Sequence, residues 1–239
     1  MSAKAETTRA GAKPAIADVL REGIRQGLLA PGQPLIQASI ADAMGVSRIP
    51  VREALHALAS EGLVTFSEDG GARVTQLAPE EVDELWTLRA LLESQMAPAI
   101  VGHATDGDVA ALRAIVADMD DLGATAWSDR NFDFHQHLHR VADMPYFADM
   151  ALRVLTMIEP YSRVAVTVLH EQGEAQTEHH AMIAAIEQRD AAELERLLLH
   201  HSNRARKALL AYAAEQEQTV DRQAVATEAA RSLADRLSA

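Results

Sequence analysis

The stretch that most constrains this chain runs from Gly45 to Phe66, GVSRIPVREALHALASEGLVTF. Gly45 closes a short helix predicted over Ile36 to Met44, since glycine accepts the left-handed backbone that ends a helix. Ser47 is a good N-cap. Pro50 falls in the first turn of the next helix, where its missing N–H costs little. Val51, Ala54, Leu55 and Leu58 give that helix one apolar face. EGLVTF and ARVTQL then flank SEDGG and read as two strands joined by a Gly-containing turn. Upstream, Ile16, Val19, Leu20, Ile24 and Leu28 repeat at helical spacing over Ile16 to Leu29, until APGQPL ends the run. Helix, helix, turn, helix and hairpin is the order of a winged helix, a fold that commonly binds DNA.

After Leu77 the character changes. Pro79, Glu80 and Glu81 open a long helix, with acidic residues at its positive end. Helical spacing returns at about 106–122, 129–142, 146–170, 176–188 and 191–213, with no strand alternation between. Only 4% of the residues are aromatic while Ala and Leu dominate, which favours helix. The predicted fold is mainly α: an N-terminal winged helix-turn-helix followed by an all-α bundle. The expected division is a disordered 1–13, a winged helix over 14–77, an all-α domain over 78–213, and a final helix or mobile tail over 214–239.

Charge divides the chain at the same place. The net charge is −13, yet residues 1–76 hold eight basic and eight acidic side chains, and the whole excess falls on residues 77–239. Nine of the ten histidines also lie there, so the two parts are expected to do different work. There is no cysteine, which excludes disulfides and thiolate metal sites. The first twenty residues lack the apolar core of a signal peptide, and no run reaches the ~18 apolar residues of a membrane span. A soluble, cytoplasmic protein without membrane contact is expected.

A recognition helix points its N-terminal side chains at base edges in the major groove. Arg48 lies in the first turn of such a helix and Arg52 one turn on, on the same face. Arginine can donate two hydrogen bonds to guanine, Ile49 can meet a thymine methyl, and the Ser47 hydroxyl with the helix N-terminus suits a phosphate. Arg73, beside Gly70 and Gly71, can bring a charge to the minor groove or backbone from the wing. The alternative is that these arginines are plain surface residues, or that Arg48 and Arg52 pair with Glu53.

The run APGQPLIQASIADAMGVSRIPVREALHALASEGLVTFSEDGGARVTQL closely resembles the winged helix of the GntR superfamily of bacterial transcription regulators. The matching elements are PGQPL, IADAMGVSR, PVREAL, EGLV and GARV. The resemblance implies DNA contacts at Arg48, Arg52 and the wing around Gly71. Many members carry a polar or basic residue near position 38, where this chain has Ala38.

In the helical part, Asn131 and His135 are four residues apart and share an inward face with Phe134 and Leu138. A turn at Arg189–Asp190 would fold EHHAMIAAIEQRDAAELERLLLHHSNRAR into a helical pair. His179 lies 11 residues before Asp190 and His201 lies 11 after it, so the two fall level. Both are in register with apolar residues, Met182 and Ile186 for one, Leu194 and Leu198 for the other. Three inward histidines and one amide from three helices make a candidate divalent metal site, since imidazole suits Zn, Ni, Cu or Fe. The alternative for each histidine alone is a core residue satisfied by a hydrogen bond. His180 and His200 are expected to face solvent, His139 is a spare ligand, His137 lies on a less apolar position, and His56 and His103 are structural.

This part resembles the FCD ligand-binding domain of the FadR-type branch. Its metal-binding members carry Asp-x-x-x-His on one helix and single histidines on the last two. NFDFH, EHHAMI and LLLHHSN match, with Asn131 where Asp is usual. The resemblance implies a divalent metal, Zn first and Ni among others, and a small organic acid such as a sugar, hydroxy or keto acid as effector. Arg89, inward with Leu85 and Trp86, is either an effector anchor or an i,i+4 partner of Glu93; Tyr161 and Arg163 are further effector candidates. The expected whole is a homodimeric, non-enzymatic regulator on a pseudopalindromic operator, controlled by a carboxylate at a metal. A metal sensor with the ion as signal and a helical metalloenzyme are the alternatives; for the latter, Asp133 points away from the site and no base is evident.

Overall fold

The computed structural model describes residues 15–68 and 70–237, with side chains as far as 215 in the last helix. The expected disorder of residues 1–13 lies outside the described residues. The chain divides into two compact units, Met1–Gln76 and Leu77–Ala239.

The first unit is a winged helix. It holds α1 (Ile16–Arg25), α2 (Gln37–Met44), α3 (Arg48–Ser60), β1 (Val64–Phe66) and β2 (Ala72–Val74). Helix α1 stops at Arg25, short of Leu29, because Gly27 takes φ 73° and the Leu29 N–H turns back to the Gly23 carbonyl. Helix α2 ends at Gly45, whose left-handed φ of 66° lets its N–H reach the Ala41 and Asp42 carbonyls. The strands pair antiparallel, Val64 opposite Val74 and Phe66 opposite Ala72. PGQPL lies along β2, with Leu35 N–H donating to the Ala72 carbonyl at 2.8 Å and Val74 N–H to Gln33 at 3.0 Å. Val51, Leu55 and Leu58 are fully buried, and Leu20, Ile24 and Val64 are buried as well, each such side chain contributing roughly 1.5–3 kcal/mol. Arg21 ties α1 to the end of α3 with two 2.7 Å bonds to Glu61.

The second unit is all helical among its described residues: α4 (Pro79–His103), α5 (Asp106–Met119), α6 (Ala124–Val141), α7 (Pro145–Thr167), α8 (Gln172–Glu187) and α9 (Ala191–Leu237). The start of α4 is capped from within, Ala78 N–H donating to Glu81 at 2.8 Å. Thr105 and Asp108 form a reciprocal capping box on α5. Helix α6 begins at Ala124 rather than near 129, since Trp127 and Ser128 already face the core. Helix α9 carries on past 213 as one element rather than giving way to a separate one. Met96, Ile100, Leu112, Phe134, Leu138, Met182, Ile186 and Leu198 belong to one core cluster, and Val82, Trp86, Ile158, Ala205 and Leu209 to another. No described helix is long and apolar enough to cross a membrane.

Candidate functional site

On the winged helix, α3 begins at Arg48, and Ser47 takes the N-cap position without making a side-chain cap hydrogen bond. Arg48, Ile49 and Arg52 are all exposed, Ile49 at 70%. Burial therefore does not account for an isoleucine at this place, and no ion pair joins either arginine to Glu53. Across from them, Arg73 stands on β2 and reaches the Gly32 carbonyl at 3.4 Å. Arg48, Gln37, Gly70, Gly71 and Arg73 line one open groove of about 260 Å³. The groove thus joins the start of α3 to the wing within a single surface. His56 stacks on Phe66 with ring centres 4.6 Å apart, fixing α3 against β1.

In the helical unit, the turn with Arg189 at φ 58° reverses the chain between α8 and α9, and Asp190 caps α9 by accepting from Glu193 N–H. His179 and His201 rings then lie 5.1 Å apart. Helix α6 brings in His135, with ring centres 5.6 Å from His179 and 5.0 Å from His201. The three imidazoles are buried and offer nitrogen atoms all within 4.8 Å of one another. Asn131, one turn before His135, is buried with its side-chain oxygen unmet.

The hydrogen bonding of this cluster is incomplete. Neither ring nitrogen of His179 has a partner; the ring lies between Trp127 and Phe134. Burial, then the neighbouring His201, His135 and Arg89, holds its pKa well below the usual value. His135 is pushed down to about 3, chiefly by burial and then by Arg89 against the pull of Glu93. Both rings are therefore neutral near pH 7, the form that binds metals. His135 Nε2 faces His201 Nε2 at 3.2 Å, and its Nδ1 lies 3.4 Å from Glu93 Oε1 without a hydrogen bond. A neutral imidazole has one N–H. Whichever nitrogen of His135 carries it, the other directs a lone pair at an electron-rich neighbour.

Beside the cluster, Trp86, Arg89, Asn131, Ser162, His201 and Arg204 line a cavity of about 20 Å³, room for roughly one water. Arg89 is fully buried. Its Nε donates to Glu93 at 3.1 Å, its guanidinium lies over the Trp86 ring, and its Nη2 has no partner. The i,i+4 pairing with Glu93 is thus present, and it leaves Nη2 over. The Trp86 indole N–H is likewise buried and unmet. Tyr161 and Arg163 do not line this cavity: Tyr161 accepts from Leu77 N–H at 2.7 Å, and Arg163 pairs with Asp129 and with the Thr125 carbonyl at 3.2 Å. His180 and His200 are exposed, and His137 is held by Arg140 and Asp108. Asp133 pairs with Arg130 away from the cluster.

Two acids complete the cluster without having been singled out for it in the sequence, and His139, the spare ligand, joins it through one of them. Glu93 receives His139 Nε2 at 2.9 Å, and Glu178 receives His201 Nδ1 at 2.6 Å. Burial alone would raise the Glu93 carboxyl, but Arg89 and the histidines beside it hold it well below the usual range. One signal could have found Glu93, its place on the inward stripe with Trp86 and Arg89. Glu178 immediately precedes His179 and has no such signal of its own.

The sequence matches the model of the FCD domain over residues 84–204 and that of the bacterial regulatory proteins of the gntR family over residues 13–74. It is 22% identical over 189 residues to the uncharacterized HTH-type transcriptional regulator YdhC of Bacillus subtilis, spanning 77% of this chain and 84% of that one. To the HTH-type transcriptional repressor RspR of Escherichia coli it is 25% identical over 189 residues, 77% and 82% of the two chains. The fold is like that of the solved structure of E. coli McbR/YncC, with a TM-score of 0.75 at 21% identity, covering 83% of this chain and 96% of that one.

Proposed function

The chain belongs to the gntR family of bacterial regulatory proteins and carries an FCD domain, which makes it a DNA-binding transcriptional regulator rather than an enzyme; from that premise we propose that its DNA affinity is set by a small carboxylate held at a divalent metal centre in the helical unit. The observation that carries the proposal is the unresolved proton of His135, together with the unmet nitrogens of His179 and oxygen of Asn131. Buried polar atoms without partners are costly, at about 1–3 kcal/mol each. Several of them turned toward one point fit a cation. His135, His179, His201 and Asn131 would hold it, and their nitrogen-rich set suits Zn first, then Ni or another transition metal. When bound, the ion supplies an uncancelled positive charge that draws a carboxylate to the neighbouring cavity.

The rest is the work of the chain's own residues. Arg89 Nη2 and the Trp86 N–H are donors with nothing to donate to, and they suit the carboxylate oxygens. Arg163 and Tyr161 are engaged elsewhere and serve to hold α7. The cavity admits little more than a water, so an organic acid must widen it, and that movement is what can favour one arrangement of the regulator over another. On the DNA side, Arg48 and Arg52 read bases, Ile49 meets a thymine methyl, Ser47 and the α3 N-terminus take a phosphate, and Gly71 and Arg73 bring the wing to the backbone. A homodimer places two such helices on a pseudopalindromic operator.

The size of the cavity favours a second reading, in which the ion alone is the signal. One experiment separates the two. Affinity for a duplex selected from a random pool is measured at fixed salt, in metal-stripped and metal-loaded protein, across a panel of hydroxy, keto and sugar acids. A shift of about 5–150-fold that needs both metal and one acid supports the effector reading. A shift with metal alone supports the sensor, and no shift under any condition refutes both.

A further inference from the structure

Three imidazoles and an amide carry no negative charge, and an ion of charge +2 buried among neutral ligands is poorly compensated. The missing charge lies on the far side of two of the rings. Glu178, 9% exposed on α8, is turned toward α9, where its Oε2 takes the His201 Nδ1 proton at 2.6 Å. The same carboxylate binds Arg204 through Nε at 2.8 Å and Nη2 at 3.0 Å and lies 3.3 Å from His200 Nε2. Arg204 is shared with Glu171 and Glu174, so one guanidinium serves three carboxylates and Glu178 is left with charge to spare. Glu93, fully buried on α4, stands at the other ring. Its Oε1 is 3.4 Å from His135 Nδ1, 2.9 Å from His139 Nε2 and 3.1 Å from Arg89 Nε, and Ser202 Oγ approaches Oε2 at 3.5 Å.

An ionised carboxylate only accepts hydrogen bonds. The nitrogen that faces it in close contact must therefore bear the proton, and the opposite nitrogen of a neutral ring must be bare. For His201 the bare atom is Nε2, the one turned to His135. We propose that Glu178 and Glu93 are positioning residues of the metal centre, Glu178 holding His201 by Nδ1 and Glu93 facing His135 Nδ1 at 3.4 Å, so that both Nε2 lone pairs turn inward and the two carboxylates supply the negative charge that Asn131 does not. This rests on the metal reading above. It also separates the arginines of the cavity by role: Arg204 is bound up in holding Glu178, while Arg89 holds Glu93 through Nε and keeps Nη2 for an anion.

The test combines a binding measurement with a spectroscopic one on the full chain. Zn²⁺ affinity is measured by competition with a chromophoric chelator for the wild type, Glu178→Gln, Glu93→Gln and His179→Ala. Each Gln variant is expected to lose about 10–100-fold in affinity while still binding one ion. Nitrogen-15 NMR of metal-free wild-type protein reads the His201 tautomer directly and needs no variant to fold. The proton is expected on Nδ1, which Glu178→Gln shifts toward Nε2. A His201 that carries its proton on Nε2 in the wild type overturns the proposal. So does Glu178→Gln binding Zn²⁺ within about 3-fold of wild type while His179→Ala has lost it, an outcome that leaves the metal reading standing. A wild type that takes up no Zn²⁺ overturns the metal reading, and this proposal with it.

Discussion

His135 is the residue on which the helical unit turns. It is fully buried, has an acceptor near each nitrogen and owns one proton at neutral pH. Its pKa falls from the ordinary 6.5 to about 3, so between those values the unfolded chain binds the proton and the folded chain does not. Stability from this residue is fully present above pH 6.5 and is lost as pH falls toward 3, at up to about 1.4 kcal/mol per pH unit. His179, lowered by its burial, acts with the same sign. Urea melts of metal-free protein are expected to show a midpoint that falls steadily from pH 6.5 to pH 5, and a shallower fall in His135→Gln. Equal slopes in the two proteins would contradict the buried neutral ring. The same depression implies that Zn²⁺ taken up at pH 7 displaces few protons from His135 and His179. Calorimetry in two buffers of different ionisation heat is expected to give nearly equal enthalpies.

Among the elements, α3 is the proposed DNA-reading helix and Gly45 sets its entry. Gly45 has φ 66°, and a Cβ there would meet nothing within 4 Å. Gly45→Ala therefore pays for backbone conformation alone, and thermal melts are expected to show a loss of about 1–2 kcal/mol. Arg48→Ala leaves the fold intact, since Arg48 is exposed, and is expected to cost about 1–3 kcal/mol of discrimination for the selected duplex over random DNA. An unchanged ratio at fixed salt would remove Arg48 from base reading. The elements themselves were legible because apolar spacing reports which face is buried: Val51, Leu55 and Leu58 mark α3, and Met182 and Ile186 mark α8. Ends were less so. Helix α1 was set by the turn at Gly27 and not by Leu28, an apolar residue that stays 73% exposed. Asn131, His135, His179 and His201 could be read as inward because each sits in register with apolar neighbours. Glu93 could be placed inward by its stripe with Trp86 and Arg89 but not joined to the histidines, and Glu178 carried no signal of its own. A charged residue goes inward only when partners neutralise it, and those partners, His139, His201 and Arg204, lie 46, 23 and 26 residues away on other helices.

Over the whole molecule, charge and task are divided together. The first unit is neutral overall, with Arg48 and Arg73 on one groove, while residues 77–239 carry the entire net charge of −13. An acidic unit disfavours contact with a phosphate backbone, in keeping with the proposed DNA contact through the winged helix. It also repels small anions, and the proposed ion and Arg89 would give a carboxylate one place of the opposite sign to enter. Control of DNA binding in this account begins with an ion in the histidine cluster. Its most direct test is the metal content of purified protein loaded with Zn²⁺ and passed through a desalting column, read by mass spectrometry beside a folded variant with His179→Ala and His201→Ala. One ion per wild-type chain and none in the variant is the predicted result; no ion in the wild type, or one ion retained by the variant, would contradict it.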